Sequence, residues 1–161
     1  ATARADGIAL DTFFVNDGRT GNLALREQRE KFADLLESVL TGGEINFDQL
    51  IAQQSTARPA YSAYLGERIG TQIHFDNTAS DDRTVIEIET EDRLGLLYTI
   101  AQTLAELDLD ISAARIVTER GAAIDSFYVS KRKDGKIESP EQLDQISRRL
   151  REEIGKLEAF V

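Results

Sequence analysis

Residues Thr84-Val-Ile-Glu-Ile-Glu-Thr-Glu-Asp-Arg-Leu-Gly-Leu-Leu-Tyr98 decide the fold of this chain. Ile86 and Ile88 alternate with Glu87 and Glu89, the period-two pattern of a strand with one buried face. The strand runs into Asp92-Arg93-Leu94-Gly95, and Leu97, Ile100, Ala101, Leu104 and Ala105 then recur at helical spacing, with Gln102 and Glu106 left outside. A helix that starts on a glycine turn presents free backbone N–H groups, and its dipole favours a carboxylate there. Such a place suits a small anion or an amino acid, provided that something closes over it.

Reading onward, Asp108 and Asp110 mark a turn before a second strand, Ile111 to Val117. Glu119-Arg120-Gly121 makes a hairpin turn into a third strand, Ala123 to Ser130, and Asp134-Gly135 is a further turn. Ser139-Pro140-Glu141-Gln142 has the form of a helix start, with serine at the N-cap, proline at the first helical position and glutamine closing a capping box. Leu143, Ile146, Leu150, Ile154 and Leu157 continue one apolar stripe, and a last strand begins near Leu157. This order predicts an α+β, ferredoxin-like βαββαβ fold, an antiparallel sheet with two helices on one face.

An internal repeat extends the reading to the N-terminal part. Gly7-Ile-Ala-Leu-Asp-Thr-Phe-Phe-Val15 matches Gly121-Ala-Ala-Ile-Asp-Ser-Phe-Tyr-Val129 at an offset of 121 − 7 = 114 residues. At that offset Gly21 falls on Gly135, Gln28 on Gln142, Phe32 on Ile146 and Leu36 on Leu150. Nothing before Ala1 supplies the first strand and helix, so the first repeat is incomplete at its N-terminus and the chain reads as a C-terminal portion of something longer. Residues 1–77 are assigned to the second half of that first repeat, with a helical or loop insertion at about 41–70. Within it Thr41-Gly42-Gly43 ends a helix, Asn46 caps a short one through Phe47, Leu50 and Ile51, and Gln53 to Arg58 is a loop ended by Pro59. Thr71 to Asp76 is a strand fit to close the first repeat's sheet, residues 78–83 are a linker, and 84–161 are the second domain.

The composition fits a soluble globular protein, with 41% hydrophobic and 30% charged residues among 161. A net charge of −10 argues against nucleic acid or an anionic membrane as partner. The absence of cysteine excludes disulfides and thiolate metal sites. No apolar run approaches the ~18 residues of a membrane span.

These motifs resemble ACT domains, the ligand-sensing modules of enzymes of amino-acid metabolism. Such domains open with a strand, an Asp-Arg-Pro-Gly loop and a helix, here matched by Asp92-Arg93-Leu94-Gly95. Phe75-Asp76-Asn77 with Ser80, Asp110-Ile111-Ser112-Ala113-Ala114, Asp125-Ser126-Phe127-Tyr128-Val129 and Asp11-Thr12-Phe13 are similar to the C-terminal ACT pair of the PII-protein uridylyltransferases. The resemblance implies a regulatory module without catalytic residues of its own, sensing glutamine for attached catalytic domains that add UMP to PII proteins or remove it. It implies effector contacts at Asp92, Arg93, Leu94, Gly95, Leu96, Leu97 and Ile111, a homodimer, a cytoplasmic location, and Mg only in catalytic domains that this chain lacks. Leu94 stands where the family has proline, which leaves the loop more adaptable.

Blander readings stand beside these. Asp92 serves either a ligand ammonium group or the helix start as a cap. Arg93 reads as a solvated charge, His74 as a half-exposed structural histidine, Tyr98 as packing with a polar tip, and Asp125 with Asp11 as outward polar strand positions. Two other functions are carried: an assembly module without ligand, or the ACT domain of a different amino-acid enzyme. Catalysis through Asp92, Asp110 and His74 is the least favoured.

Overall fold

The computed structural model describes residues 2–3, 9–10, 12, 14–17, 20–47, 49–50, 69–119, 121–131 and 135–157. Two compact units emerge: residues 1–12 with 64–161, and residues 13–63.

In the first unit the sheet comprises β1 (Thr2–Ala3), β2 (Ala9–Leu10), β3 (Gln72–Asp76), β4 (Thr84–Glu91), β5 (Leu109–Arg115), β6 (Thr118–Glu119) and β7 (Ala122–Lys131). Its order is β2-β1-β5-β7-β4-β3, with β6 pairing β7, and every pairing is antiparallel. The helices of this unit are α2 (Leu96–Glu106) and α3 (Pro140–Lys156); α1 (Arg26–Leu40) belongs to the other. The alternation in β4 behaves as read: Ile86 and Ile88 are buried while Glu87 and Glu89 face solvent. In β7, Phe127 opposite Ile86 and Val129 opposite Thr84 complete one apolar layer, and Ile146, Leu150 and Ile154 of α3 with Ile100 and Leu104 of α2 cover it. The α+β sheet-and-helix architecture is therefore the expected one.

Four local expectations are corrected. The buried stripe of α2 is Leu96, Ile100, Thr103 and Leu104, whereas Leu97 is exposed. Thr103 is tolerated inside because its hydroxyl donates to the Thr99 carbonyl at 2.7 Å. The second strand spans 109–115, and the Pro140 helix keeps only half of its capping box. Ser139 Oγ accepts from the Gln142 N–H at 3.4 Å, but Gln142 Oε1 turns to Lys131 Nζ at 2.5 Å.

The fourth correction concerns β3. It pairs with β4 along its whole length, from Gln72 opposite Glu89 to Asp76 opposite Val85. It thus joins the sheet of 84–161, on the edge of β4 that a strand following α3 would occupy in the βαββαβ plan. A short link between antiparallel strands favours pairing of neighbours in sequence, which explains the choice. The link itself is built in: Asn77 Nδ2 donates to the Ile137 carbonyl at 2.9 Å, and the buried Thr84 hydroxyl donates to Asn77 Oδ1 at 2.6 Å. The strand expected from Leu157 onward, residue Asp11, and the loop 53–59 with Ile51 lie outside the described residues.

In the second unit, α1 begins at Arg26, which is 114 residues before Pro140, and the expected ending holds: Gly42 has φ +97 and its N–H donates to the Val39 carbonyl. Asn46 Oδ1 accepts from the Gln49 N–H at 2.8 Å, as a cap does. Of the first-copy strand read over 7–15, only Ala9–Leu10 is a strand among the described residues.

Candidate functional site

At the end of β4 the chain turns through Asp92 to Gly95. Gly95 adopts φ +83 at the N-cap of α2, a left-handed conformation that glycine takes without steric cost. Leu96 N–H closes the turn on the Arg93 carbonyl at 3.1 Å, and Thr99 N–H bonds Gly95 O at 2.9 Å. The start of α2 faces the β6–β7 hairpin, because the Asp92 N–H donates to Gly121 O at 2.8 Å.

Asp92 does not cap α2, for no side chain does. Its Oδ2 accepts instead from the Thr118 hydroxyl at 3.3 Å, across to β6. Arg93 is not a solvated charge: its side chain is only 15% exposed and pairs with Glu91 at 2.8 Å. Leu96 is buried in the core, and Leu94 and Leu97 stand exposed beside the turn.

Five of the seven expected contact residues thus cluster at the turn itself, and Leu97 lies one residue into the helix next to buried Leu96. Ile111 does not join them. It sits opposite Val129 beside a bulge in β5, whereas the turn adjoins Ala122 at the other end of β7. Seven residues of strand separate these levels, about 23 Å. The same arithmetic separates Asp92 from Asp110, opposite Ser130, so the residues weighed for catalysis share no site.

The residue that sequence reasoning misjudged is Asp125. It is 2% exposed and points to the helix-covered side, opposite Ile88. Its Oδ1 accepts from the Val117 N–H at 3.2 Å. Burial pushes its carboxyl up to about 6; the Val117 hydrogen bond works against that shift, and the Asp92 carboxylate adds to it. A parity signal was available: in Ala123, Asp125, Phe127 and Val129, Asp125 shares the face of the apolar residues.

On the opposite face of the sheet, Gln72, His74, Glu87, Glu89, Ile124 and Ser126 border a shallow depression of about 220 Å³. His74 there faces Glu87 across the strands. Among the described residues, no group of three or more His, Cys, Asp or Glu side chains is placed to hold a metal ion, and no helix is long and apolar enough to cross a membrane.

An antiparallel sheet under two helices, opened by a strand, a glycine turn and a helix, defines a small α+β module of the ferredoxin-like kind. The chain belongs to the ACT-like domain family: residues 72–157, more than half of it, match the family described as ACR9-like, ACT-like domain. That match begins at β3, in keeping with the place of this strand in the sheet. The chain is also 36% identical over 149 residues to the bifunctional uridylyltransferase/uridylyl-removing enzyme of Gluconobacter oxydans (strain 621H), covering 91% of this chain. It spans only 15% of that enzyme's length. No solved structure matches the chain at a significant level.

Proposed function

We propose that this chain is a regulatory module that binds an amino acid, glutamine first among candidates, and biases catalytic domains joined to it. The observation that carries the reading is the Gly95 turn. It starts an eleven-residue helix on a left-handed glycine, with the Asp92 carboxylate beside it. A helix start attracts the carboxylate of an amino acid, and a carboxylate nearby suits its ammonium group. Calorimetric titration with glutamine, with glutamate and serine as controls, tests this. Heat with glutamine alone supports the reading; saturating glutamine with neither heat nor a shift in melting temperature overturns it. Selective binding of a different amino acid would assign the module to another enzyme of amino-acid metabolism.

Similarity to the Gluconobacter enzyme supports the finer proposal that the attached domains attach and remove uridylyl groups. We propose further that PII proteins are their target, that they act in the cytoplasm, and that Mg is held in those domains. Glutamine added to such a full-length enzyme is expected to shift the balance between attachment and removal, and an unchanged balance counts against it. Assembly is a second reading, favoured by Leu94 and Leu97, 42% and 47% exposed at the turn. It calls for a homodimer at tens of micromolar, an order suited to weak pairing, and a monomer by light scattering there overturns it.

A further inference from the structure

The strand that completes the sheet is held differently from the others. Among the described residues β3 has one neighbour, β4, and its apolar side chains Ile73 and Phe75 are only half-buried. Side-chain hydrogen bonds fasten it at both ends. At its start, the Thr71 and Thr90 hydroxyls meet at 2.8 Å, and Arg151 of α3 donates to the Thr71 carbonyl. At its end a closed ring forms. Asn77 donates to Ile137 O, Thr84 donates to Asn77, and the Ile137 N–H donates to Thr84 Oγ1 at 2.8 Å, while Lys136 Nζ binds Asn77 O at 2.8 Å.

By contrast, β4, β5 and β7 are joined through the centre of the sheet, and β4 and β7 carry the fully buried Ile86, Ile88, Phe127 and Val129. Of β3, only Ile73 and Phe75 pack against that apolar layer, and both are partly buried, whereas the layer itself is made by β4, β7 and the two helices. Elements with few buried apolar contacts and one hydrogen-bonded neighbour open below the global unfolding energy.

We propose that β3 is a releasable strap: it leaves the edge of β4 as a unit while the remaining sheet and both its helices stay folded, and Thr71 and Asn77 are the latches that set how often it does so. Release bares the outer edge of β4, a template for another strand. This inference does not depend on the identity of any effector.

Native-state hydrogen exchange on the whole chain, with urea in the low, non-denaturing range, tests it. The β3 amides bonded to β4 are expected to open more readily, and with a shallower urea dependence, than those of Phe127 and Val129. Thr71→Val, which loses one hydrogen bond, should speed β3 exchange about tenfold, and Asn77→Ala, which loses two, should speed it more, with Phe127 unchanged in both. Equal opening and equal urea dependence of β3 and β7 in the wild-type chain would overturn the proposal, as would variants that speed both strands alike. Should the variants fail to fold, the wild-type urea dependence decides alone.

Discussion

Gly21 and Gly135 adopt the same left-handed conformation, φ +68 and +71, at positions 114 residues apart. They stand at equivalent places in the two copies, each five residues before a helix that begins at Arg26 or Pro140. A Cβ on either would meet nothing within 4 Å, so the cost of a side chain there is conformational alone. Gly135→Ala is expected to cost about 1–2 kcal/mol, and Gly21→Ala a similar amount in its own unit. Gly135→Asn should recover part of it, since asparagine tolerates this region. Urea unfolding of the four chains checks this, and a cost-free Gly135→Ala would show that the turn can rearrange.

The two helix starts divide one capping box between them. Ser139 Oγ caps α3, while in α1 the Gln28 Oε1 accepts from the Leu25 N–H at 2.7 Å and leucine offers no oxygen in return. Ser139→Ala should therefore destabilise the first unit by about 1 kcal/mol. Leu25→Ser should stabilise α1 by roughly 0.5–1 kcal/mol, because it completes the box around Gln28. Thermal melts of both variants give the comparison. A destabilising Leu25→Ser would mean that the leucine side chain, 68% exposed, packs more than its exposure suggests.

Equivalent positions need not be equivalent in energy. Leu150 is fully buried between α2 and the sheet, whereas Leu36, its counterpart in α1, is only half-buried and α1 holds no fully buried residue. Leu150→Ala is expected to cost about 2–5 kcal/mol, and Leu36→Ala under about 2. Chemical denaturation distinguishes them, and equal losses would show that α1 is as tightly packed as α3.

Much of this was legible because periodicity and turn chemistry are local. Ile86 and Ile88, the Gly95 turn, the Ser139 cap and the stripe Ile146–Leu150–Ile154 each follow from a few neighbouring residues. The misreadings were matters of partner choice. Thr71 to Asp76 has the pattern of a strand whichever sheet it joins, and only the Asn77–Thr84–Ile137 ring, which spans 60 residues of sequence, records that it belongs beside β4. Leu97 and Leu96 differ by one residue, about 100° of rotation around a helix, so the burial of one and exposure of the other turns on where α2 sits. The Gly95 turn was legible in the sequence and the burial of Asp125 was not, since an aspartate on an apolar face reads as an exception until its partners are placed.

That aspartate carries the sharpest prediction. Asp125 has its carboxyl raised from 3.8 to about 6, mainly by burial, so the folded chain holds this proton more tightly than the unfolded one. Wherever the folded state binds more protons, stability falls as pH rises. The contribution of Asp125 is therefore intact below about pH 4, is lost between about 4 and 6, and stays lost above that. Two pKa units correspond to at most about 3 kcal/mol. Asp125→Asn, which keeps an acceptor for the Val117 N–H, should gain up to that amount at pH 8 and nothing at pH 3.5. Asp92→Asn removes only the neighbouring charge. It should lower the Asp125 midpoint while leaving it above 3.8, because burial remains. Carboxyl carbon NMR titration reads the midpoint directly, and urea unfolding at the two pH values reads the stability. A midpoint near 4 in the wild-type chain, or an Asp125→Asn variant no more stable at pH 8, would mean that water reaches this carboxylate despite its place on the covered face.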